Sequence, residues 1–237
     1  MKKGRLSVIG VGPGDPELLT LKAVRILNDA ACVIVPKGRE EGSSLARSIV
    51  EKAVDLRGKD VIEAYFPMRK TRGGPSADLD AKWNETVETV LERLDRGDAA
   101  FITIGDPTIY STFRYLHDRL LELRPGLVIE LVPGVSSITA SAAAAGVYLG
   151  IADERIAVLP ANYTADLERT VREFDTVVLM KVNKVFREIL SRLEGMKLAE
   201  NAVYVARAGM PDEKIVRGLR KVKDEELNYF SLVIVKK

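Results

Sequence analysis

Short apolar runs rich in β-branched residues alternate along this chain with segments whose apolar positions recur at helical spacing. That alternation constrains the fold more than any other feature. A strand apolar on both sides needs cover on both faces, and a strand–helix repeat supplies it. Strands are predicted at 6–9, 32–35, 61–65, 99–104 and 128–132, then at 156–159, 176–180, 202–206 and 231–235, with 215–216 a shorter candidate. Helices are predicted at 21–27, 45–53, 83–94 and 113–123, then at 138–145, 165–174 and 186–193. The class is therefore α/β, with a parallel sheet expected in the first half. At 46% apolar and 30% charged, the 237 residues can fill one large domain or two small ones. A boundary near 132 gives domains 1–132 and 133–237, because each side has enough elements for its own layers.

Several function classes are excluded early. One cysteine leaves no intrachain disulfide, and one histidine beside it leaves no ordinary zinc site, so no protein-bound metal is expected. The 36 basic and 34 acidic residues nearly cancel to +2, which does not point to nucleic acid. No apolar run approaches a membrane span, and MKKGRLSVIGVG reads as a first strand rather than a signal peptide. A cytoplasmic protein is the expectation.

Three predicted strands run into glycine-bearing loops. The first delivers Gly10-Val11-Gly12-Pro13-Gly14-Asp15-Pro16, the fourth Gly105-Asp106-Pro107-Thr108-Ile109-Tyr110-Ser111-Thr112, and the fifth Pro133-Gly134-Val135-Ser136-Ser137. In a parallel sheet all three lie at the carboxyl edge, where ligands bind. The first is not a dinucleotide fingerprint. Asp15 stands where the third glycine belongs, Pro13 removes an N–H from the cradle, and no acidic residue ends the second strand. The loops suit a nucleoside-like ligand without a polyphosphate. Asp106 is placed to hold a cationic or hydroxyl group. Either Asp15 or Thr20 caps the helix that follows the first strand.

GVGPGDPELLTLKA at 10–23, GDPTIYSTF at 105–113 and PGVSS at 133–137 resemble the tetrapyrrole (corrin/porphyrin) methyltransferases, which use S-adenosylmethionine. The likeness continues through Leu179-Met180-Lys181 and Val205-Ala206-Arg207-Ala208-Gly209 to Lys214-Ile215, over almost the whole chain. SLARSI at 44–49 and YSTF at 110–113 are most similar to the branch that methylates C20 of precorrin-2 or cobalt-factor II in cobalamin synthesis. The resemblance implies two α/β domains, the second with a mixed sheet, an active site in the cleft between them, and a homodimer. It places the cofactor contacts on Pro13, Gly105, Asp106, Ile109, Ser136, Ser137, Met180 and Ala208. Ser136-Ser137 replaces the Thr-Ala pair of the uroporphyrinogen methylases, which favours a corrin enzyme.

Methyl transfer from a sulfonium to carbon needs alignment and water exclusion more than titrating groups. A chain without a Ser-His-Asp grouping can therefore still be an enzyme. His117 and Cys32 read as structural. Tyr110 is the polar candidate inside a motif for moving a proton, and equally a packing or substrate-shape residue. The substrate's carboxylates call for cations, and Lys37, Arg39, Arg69, Lys70 and Arg72 stand in loops after the second and third strands. The long loop 67–78 reads as a lid or a solvated basic surface. Three alternatives remain: another corrin carbon as acceptor, a diphthine synthase, or a non-catalytic nucleotide-binding module.

Overall fold

A computed structural model describes residues 4–37, 44–65, 77–163 and 165–237. The chain divides into two compact units, Met1–Ser136 and Ser137–Lys237. The first unit contains strands β1 (Leu6–Gly10), β2 (Cys32–Lys37), β3 (Asp60–Tyr65), β4 (Ala99–Thr103) and β5 (Ile129–Val132), and helices α1 (Leu21–Asp29), α2 (Leu45–Val50), α3 (Ala77–Leu94) and α4 (Phe113–Leu123). Its strands form one sheet in the order β3-β2-β4-β1-β5, and every recorded pairing is parallel. The period-two geometry of a strand explains the continuous apolar runs. Ile9, Val33, Val35, Ala100 and Ile102 pack with Ala23 and Leu27 of α1 and Ile49 and Val50 of α2. Leu6, Val8, Ile34 and Phe101 point the other way, against Val87, Val90 and Leu94 of α3 and Phe113, Leu116 and Leu120 of α4. Both faces are dry.

The second unit contains α5 (Ser137–Ala144), β6 (Ile156–Pro160), α6 (Leu167–Glu173), β7 (Thr176–Met180), α7 (Phe186–Gly195), β8 (Ala202–Ala206), β9 (Lys214–Arg217) and β10 (Ser231–Lys236). Its sheet has the order β6-β7-β10-β8-β9 and is mixed: β6 and β7 are parallel, while β10 runs antiparallel to β7 and β8, and β9 to β8. On one face Val177, Leu179, Tyr204 and Val233 meet Val171 of α6 and Phe186, Ile189 and Leu193 of α7. The other face, with Val178, Val203, Val205, Leu232 and Ile234, carries α5 through Ile138, Ala142 and Ala145. The run of small residues in α5 brings that helix's backbone close to the sheet, as the sequence suggests. Tyr204 is fully buried, and its hydroxyl donates to the Glu226 carbonyl at 2.9 Å and accepts from the Asn228 N–H at 3.1 Å.

Two local expectations are refined. Asp15 and Thr20 both cap: Asp15 accepts from the Glu17 N–H ahead of a short 3-10 turn, Pro16–Leu18, and Thr20 accepts from the Ala23 N–H at the start of α1. Helix α3 begins at Ala77, earlier than the periodicity from Trp83 indicates and inside the expected 67–78 loop. The residues before Trp83, ADLDAK, include good helix formers. The rest of that loop lies outside the described residues. Among the described residues, no helix is long and apolar enough to cross a membrane.

Candidate functional site

In the first unit the sheet order puts β1 between β4 and β5, so three glycine-bearing loops leave one edge side by side. They meet through backbone. A Cβ on Gly10 would stand 2.5 Å from the Gly105 carbonyl oxygen and 2.7 Å from the Gly134 nitrogen. One on Gly134 would stand 2.3 Å from the same Gly105 oxygen and 2.7 Å from Gly10. No side chain fits between these strand ends, which is why glycine occupies both positions. Gly12 and Gly105 exchange a pair of hydrogen bonds, Gly105 N–H to Gly12 C=O at 2.8 Å and the reverse at 3.3 Å. Gly105 differs from the other two. It has φ +72°, and a Cβ there would meet no described atom within 4 Å. The space where a Gly105 side chain would stand is therefore open, although the residue is buried and its N–H and C=O are paired with Gly12, and Ile109 is exposed in the same loop.

Asp106 fastens this junction. One carboxylate oxygen accepts from the Gly134 N–H at 3.0 Å, and the other accepts from the Thr108 N–H at 2.8 Å and from the Thr108 hydroxyl. The sequence reading gave this carboxylate to a cation or hydroxyl. The structure shows it holding two loops of its own unit, since the Asp-x-Thr spacing closes a side-chain turn. Pro13 is buried in the first loop. Tyr110 is about half exposed and has φ +51°, an uncommon backbone for a bulky residue. Ser111 behind it accepts from the Phe113 N–H at 3.2 Å as α4 begins.

In the second unit, β7 ends at Met180, half-buried, and β8 leads through Ala206 and Arg207 to the buried Ala208. Because β10 pairs antiparallel with both, β7 and β8 run the same way and finish at the same sheet edge. The next residues, Lys181 and Arg207, both have left-handed backbones, φ +60° and +55°. They are pinned to the start of β10: the Lys181 N–H donates to the Ser231 carbonyl at 2.9 Å, and the Arg207 N–H to the Phe230 carbonyl at 2.7 Å. A left-handed L-residue costs roughly 1–2 kcal/mol, so the neighbouring strands must impose this shape. Arg207 Nε lies 2.6 Å from Asp212, whose carboxyl it holds below the usual carboxylate range. Burial pulls the Lys181 ammonium below the ordinary lysine range. No sequence signal marks these two positions, because left-handed backbone is legible in a sequence mainly where glycine supplies it.

Ser136 closes the first unit and Ser137 opens α5, both half-buried. Lys37 is ion-paired with Glu63 at 2.8 Å, and Arg47 reaches the same carboxylate at 3.4 Å. Together these cations hold Glu63 below the usual carboxylate range, the Lys37 bond being the larger cause. Arg39, Arg69, Lys70 and Arg72 lie outside the described residues. His117 bridges Arg114 and Asp118 on the outer side of α4. Cys32 is buried, and desolvation pushes its thiol up to about 11. It is no nucleophile at neutral pH.

This arrangement matches known proteins along its whole length. The family model for Tetrapyrrole (Corrin/Porphyrin) Methylases covers residues 5–222. A Methanocaldococcus jannaschii protein named "Probable cobalt-precorrin-2 C(20)-methyltransferase" is 40% identical over 233 residues, 97% of this chain and 94% of its own. The cobalt-precorrin-2 C(20)-methyltransferase of Salmonella typhimurium is 35% identical over 241 residues, with 99% and 97% covered. Among solved structures, a uroporphyrin-III C-methyl transferase from Thermus thermophilus complexed with S-adenyl homocysteine superposes with a TM-score of 0.66, 24% identity, and coverage of 99% and 98%. That likeness supports the two-unit α/β architecture. With a family model matching residues 5–222 and nearly full-length relatives above 30% identity, this chain belongs to the tetrapyrrole (corrin/porphyrin) methylases.

Proposed function

We propose that this protein transfers a methyl group from S-adenosylmethionine to C20 of the precorrin-2 skeleton, in its metal-free or cobalt-loaded form, within cobalamin biosynthesis. The observation that carries the reading is 35–40% identity over nearly the full length to proteins named C20-methyltransferases, together with a glycine junction that leaves space beside Gly105 at the sheet edge. The residues present fit an adenosine-bearing donor. In the first unit the space where a Gly105 side chain would stand is open and Ile109 adds an exposed apolar surface, and the family resemblance adds Met180 and Ala208 of the second unit. Ser136 and Ser137 contribute small hydroxyls.

When bound, S-adenosylmethionine supplies an activated methyl: the new carbon–carbon bond forms as the sulfur–methyl bond breaks, its electron pair staying on sulfur. The chain's own residues align the reactants. Asp106 ties the Gly105 loop to Gly134; aligning donor and acceptor is worth about 7–11 kcal/mol in favourable intramolecular models. A proton then leaves the macrocycle or charge redistributes around it; no catalytic base is assigned, and Tyr110 is the polar residue inside the motif, equally a packing or substrate-shape residue. The Tyr110→Phe variant separates its hydroxyl from its shape.

We further infer a homodimer in the cytoplasm, as the family resemblance implies. The deciding experiment is calorimetry with S-adenosylhomocysteine, followed by incubation with metal-free and cobalt-loaded precorrin-2 and location of the added methyl by mass spectrometry and NMR. Binding plus a methyl at C20 supports the reading. A methyl on another ring carbon replaces the acceptor position, and no heat with S-adenosylhomocysteine rejects the cofactor.

A further inference from the structure

The second unit carries a pocket of about 320 Å³ on the face of its sheet that α5 covers, just past the end of that helix. Its floor follows from strand register. Ile234 of β10 pairs with Val203 of β8, and Val203 pairs with Arg217 of β9, so the three side chains stand side by side on one face. Lys236, two residues beyond Ile234, also lines the pocket. Ser231, where β7 and β8 finish, and Lys236 are about 16 Å apart along β10, so the pocket lies toward the opposite end of the sheet from Met180 and Ala208.

The rim is built by the turn after α5. Gly146, at φ +59°, reverses the chain, and the Val147 N–H returns to the Ala142 carbonyl at 2.8 Å, which ends the helix. Tyr148 and Ile151 follow, and they are 79% and 62% exposed. The two cations of the pocket differ. Lys236 Nζ is met by the Glu154 carboxylate and by the Tyr148 carbonyl, each at 2.8 Å. Arg217 donates to the Ala145 carbonyl at the helix end and has no ion-pair partner among the described residues. Its guanidinium is thereby tethered, with the rest of its planar fork left to solvent or a ligand. The pocket thus offers one uncompensated positive charge beside apolar walls, the make-up of a small-molecule site.

We propose that this pocket binds a small organic monocarboxylate with an apolar body, its carboxylate on Arg217 and its body against Tyr148 and Ile151 above Val203 and Ile234. One net cation matches one negative charge, and the planar guanidinium fork matches a carboxylate. An inorganic anion would leave the apolar walls wet. The volume stands near the lower end for ligand pockets, roughly 300–1,000 Å³, and admits a single-ring acid but not a tetrapyrrole. The site is additional to the methyl-transfer reading and stands without it.

The test uses the full chain with three probes: benzoate, acetate as the charge without the apolar body, and benzyl alcohol as the body without the charge. Binding is read by NMR from the methyl resonances of Val147, Val203 and Ile234. Benzoate should move them saturably with a Kd on the order of 1 mM or tighter, and the other two should bind about tenfold more weakly. Arg217→Gln removes the charge and should weaken benzoate roughly 10- to 100-fold. Because Arg217 also bonds the end of α5, Tyr148→Ser and Ile151→Ser serve as further variants at exposed positions. Each should weaken benzoate by about three- to tenfold and leave acetate unchanged. The absence of a saturable shift up to about 20 mM benzoate overturns the proposal. So does acetate binding as tightly as benzoate, which marks a general anion surface, and so does undiminished benzoate binding by a folded Arg217→Gln or by both serine variants. S-adenosylhomocysteine should leave the benzoate Kd unchanged. Competition between the two would put benzoate at the cofactor's site and sink the second one, whereas a chain that binds benzoate and no S-adenosylhomocysteine would overturn the methyl-transfer reading alone.

Discussion

Gly134→Ala and Gly105→Ala should separate the structural glycines from the ligand-facing one. At Gly134 the new Cβ would stand 2.3 Å from the Gly105 oxygen, against an ordinary contact that begins near 3.4 Å. The backbones just after β5 and β4 would have to part by about 1.1 Å, and nothing at the contact is a flexible side-chain end. Overpacking of this kind costs roughly 1–3 kcal/mol, and losing the Gly134 N–H bond to a carboxylate adds about 1.5–3, so a total of roughly 2.5–6 kcal/mol is expected. For a chain of this size that corresponds to a fall of roughly 5–24 °C in the unfolding of the first unit. Gly105→Ala meets no atom and pays only for left-handed alanine, roughly 1–2 kcal/mol. Its fold should survive with a much smaller shift, yet its Cβ would fill the space a ligand needs, and S-adenosylhomocysteine affinity should fall by at least about tenfold. Differential scanning calorimetry and isothermal titration on the two purified variants read both quantities. If Gly134→Ala unfolds no earlier than Gly105→Ala, the close junction of three strand ends is wrong. If Gly105→Ala binds like wild type, ligand does not approach there.

Three other perturbations follow from the same geometry. Tyr204→Phe removes a buried hydroxyl that satisfies both the Glu226 carbonyl and the Asn228 N–H, so the urea midpoint should fall by the equivalent of about 1–3 kcal/mol, with cofactor affinity unchanged; an unaltered midpoint would contradict the burial. Arg192, bonded to Glu168 at 2.7 and 2.5 Å, holds that carboxyl at about 2. The folded value lies below the ordinary 4.5, so its stabilisation is complete above that pH and fades as pH falls toward 2. Glu168→Gln should therefore be less stable than wild type at pH 7 and equal to it near pH 2, and a difference that persists in acid would refute the assignment. Cys32, with its thiol pushed up to about 11 by burial, should resist iodoacetamide at neutral pH in the folded protein and react once urea exposes it. Rapid labelling of the native chain would show that the sheet around it opens.

The parts of the fold that a sequence displays well are those with a period. The parallel sheet was readable because Val33 and Ile34, or Phe101 and Ile102, are adjacent and both apolar, which only a sheet covered twice permits. The helix α4 was readable from Phe113, Leu116 and Leu120 on one face. The start of α3 was not, since Ala77 to Lys82 carries little apolar period and follows a stretch broken by glycine and proline. The loops fall at the carboxyl edge as expected for parallel strands. Their internal chemistry was only half legible: the glycines announced a tight approach, but the use of Asp106 to tie Gly134 depends on β4 and β5 flanking β1, a fact of topology. Lys181 and Arg207 were legible as cations next to motif residues and silent as to backbone, because their left-handed shape is imposed by Ser231 and Phe230, which follow far along the chain.

The strand orders carry a consequence for how the molecule assembles. Leu6 of β1 finds its neighbours only at Ala99 and Ile129, and β7 and β8 are joined only when β10, the last strand, slides between them. Neither half can grow by zipping successive hairpins outward from a seed. Each must wait, sticky edges bare, for a distant keystone to arrive, which puts this chain among slow folders that are most at risk of clumping early. A product cut short before Ser231 would leave two unmated ribbons where the second sheet should close, and should be found in the insoluble fraction.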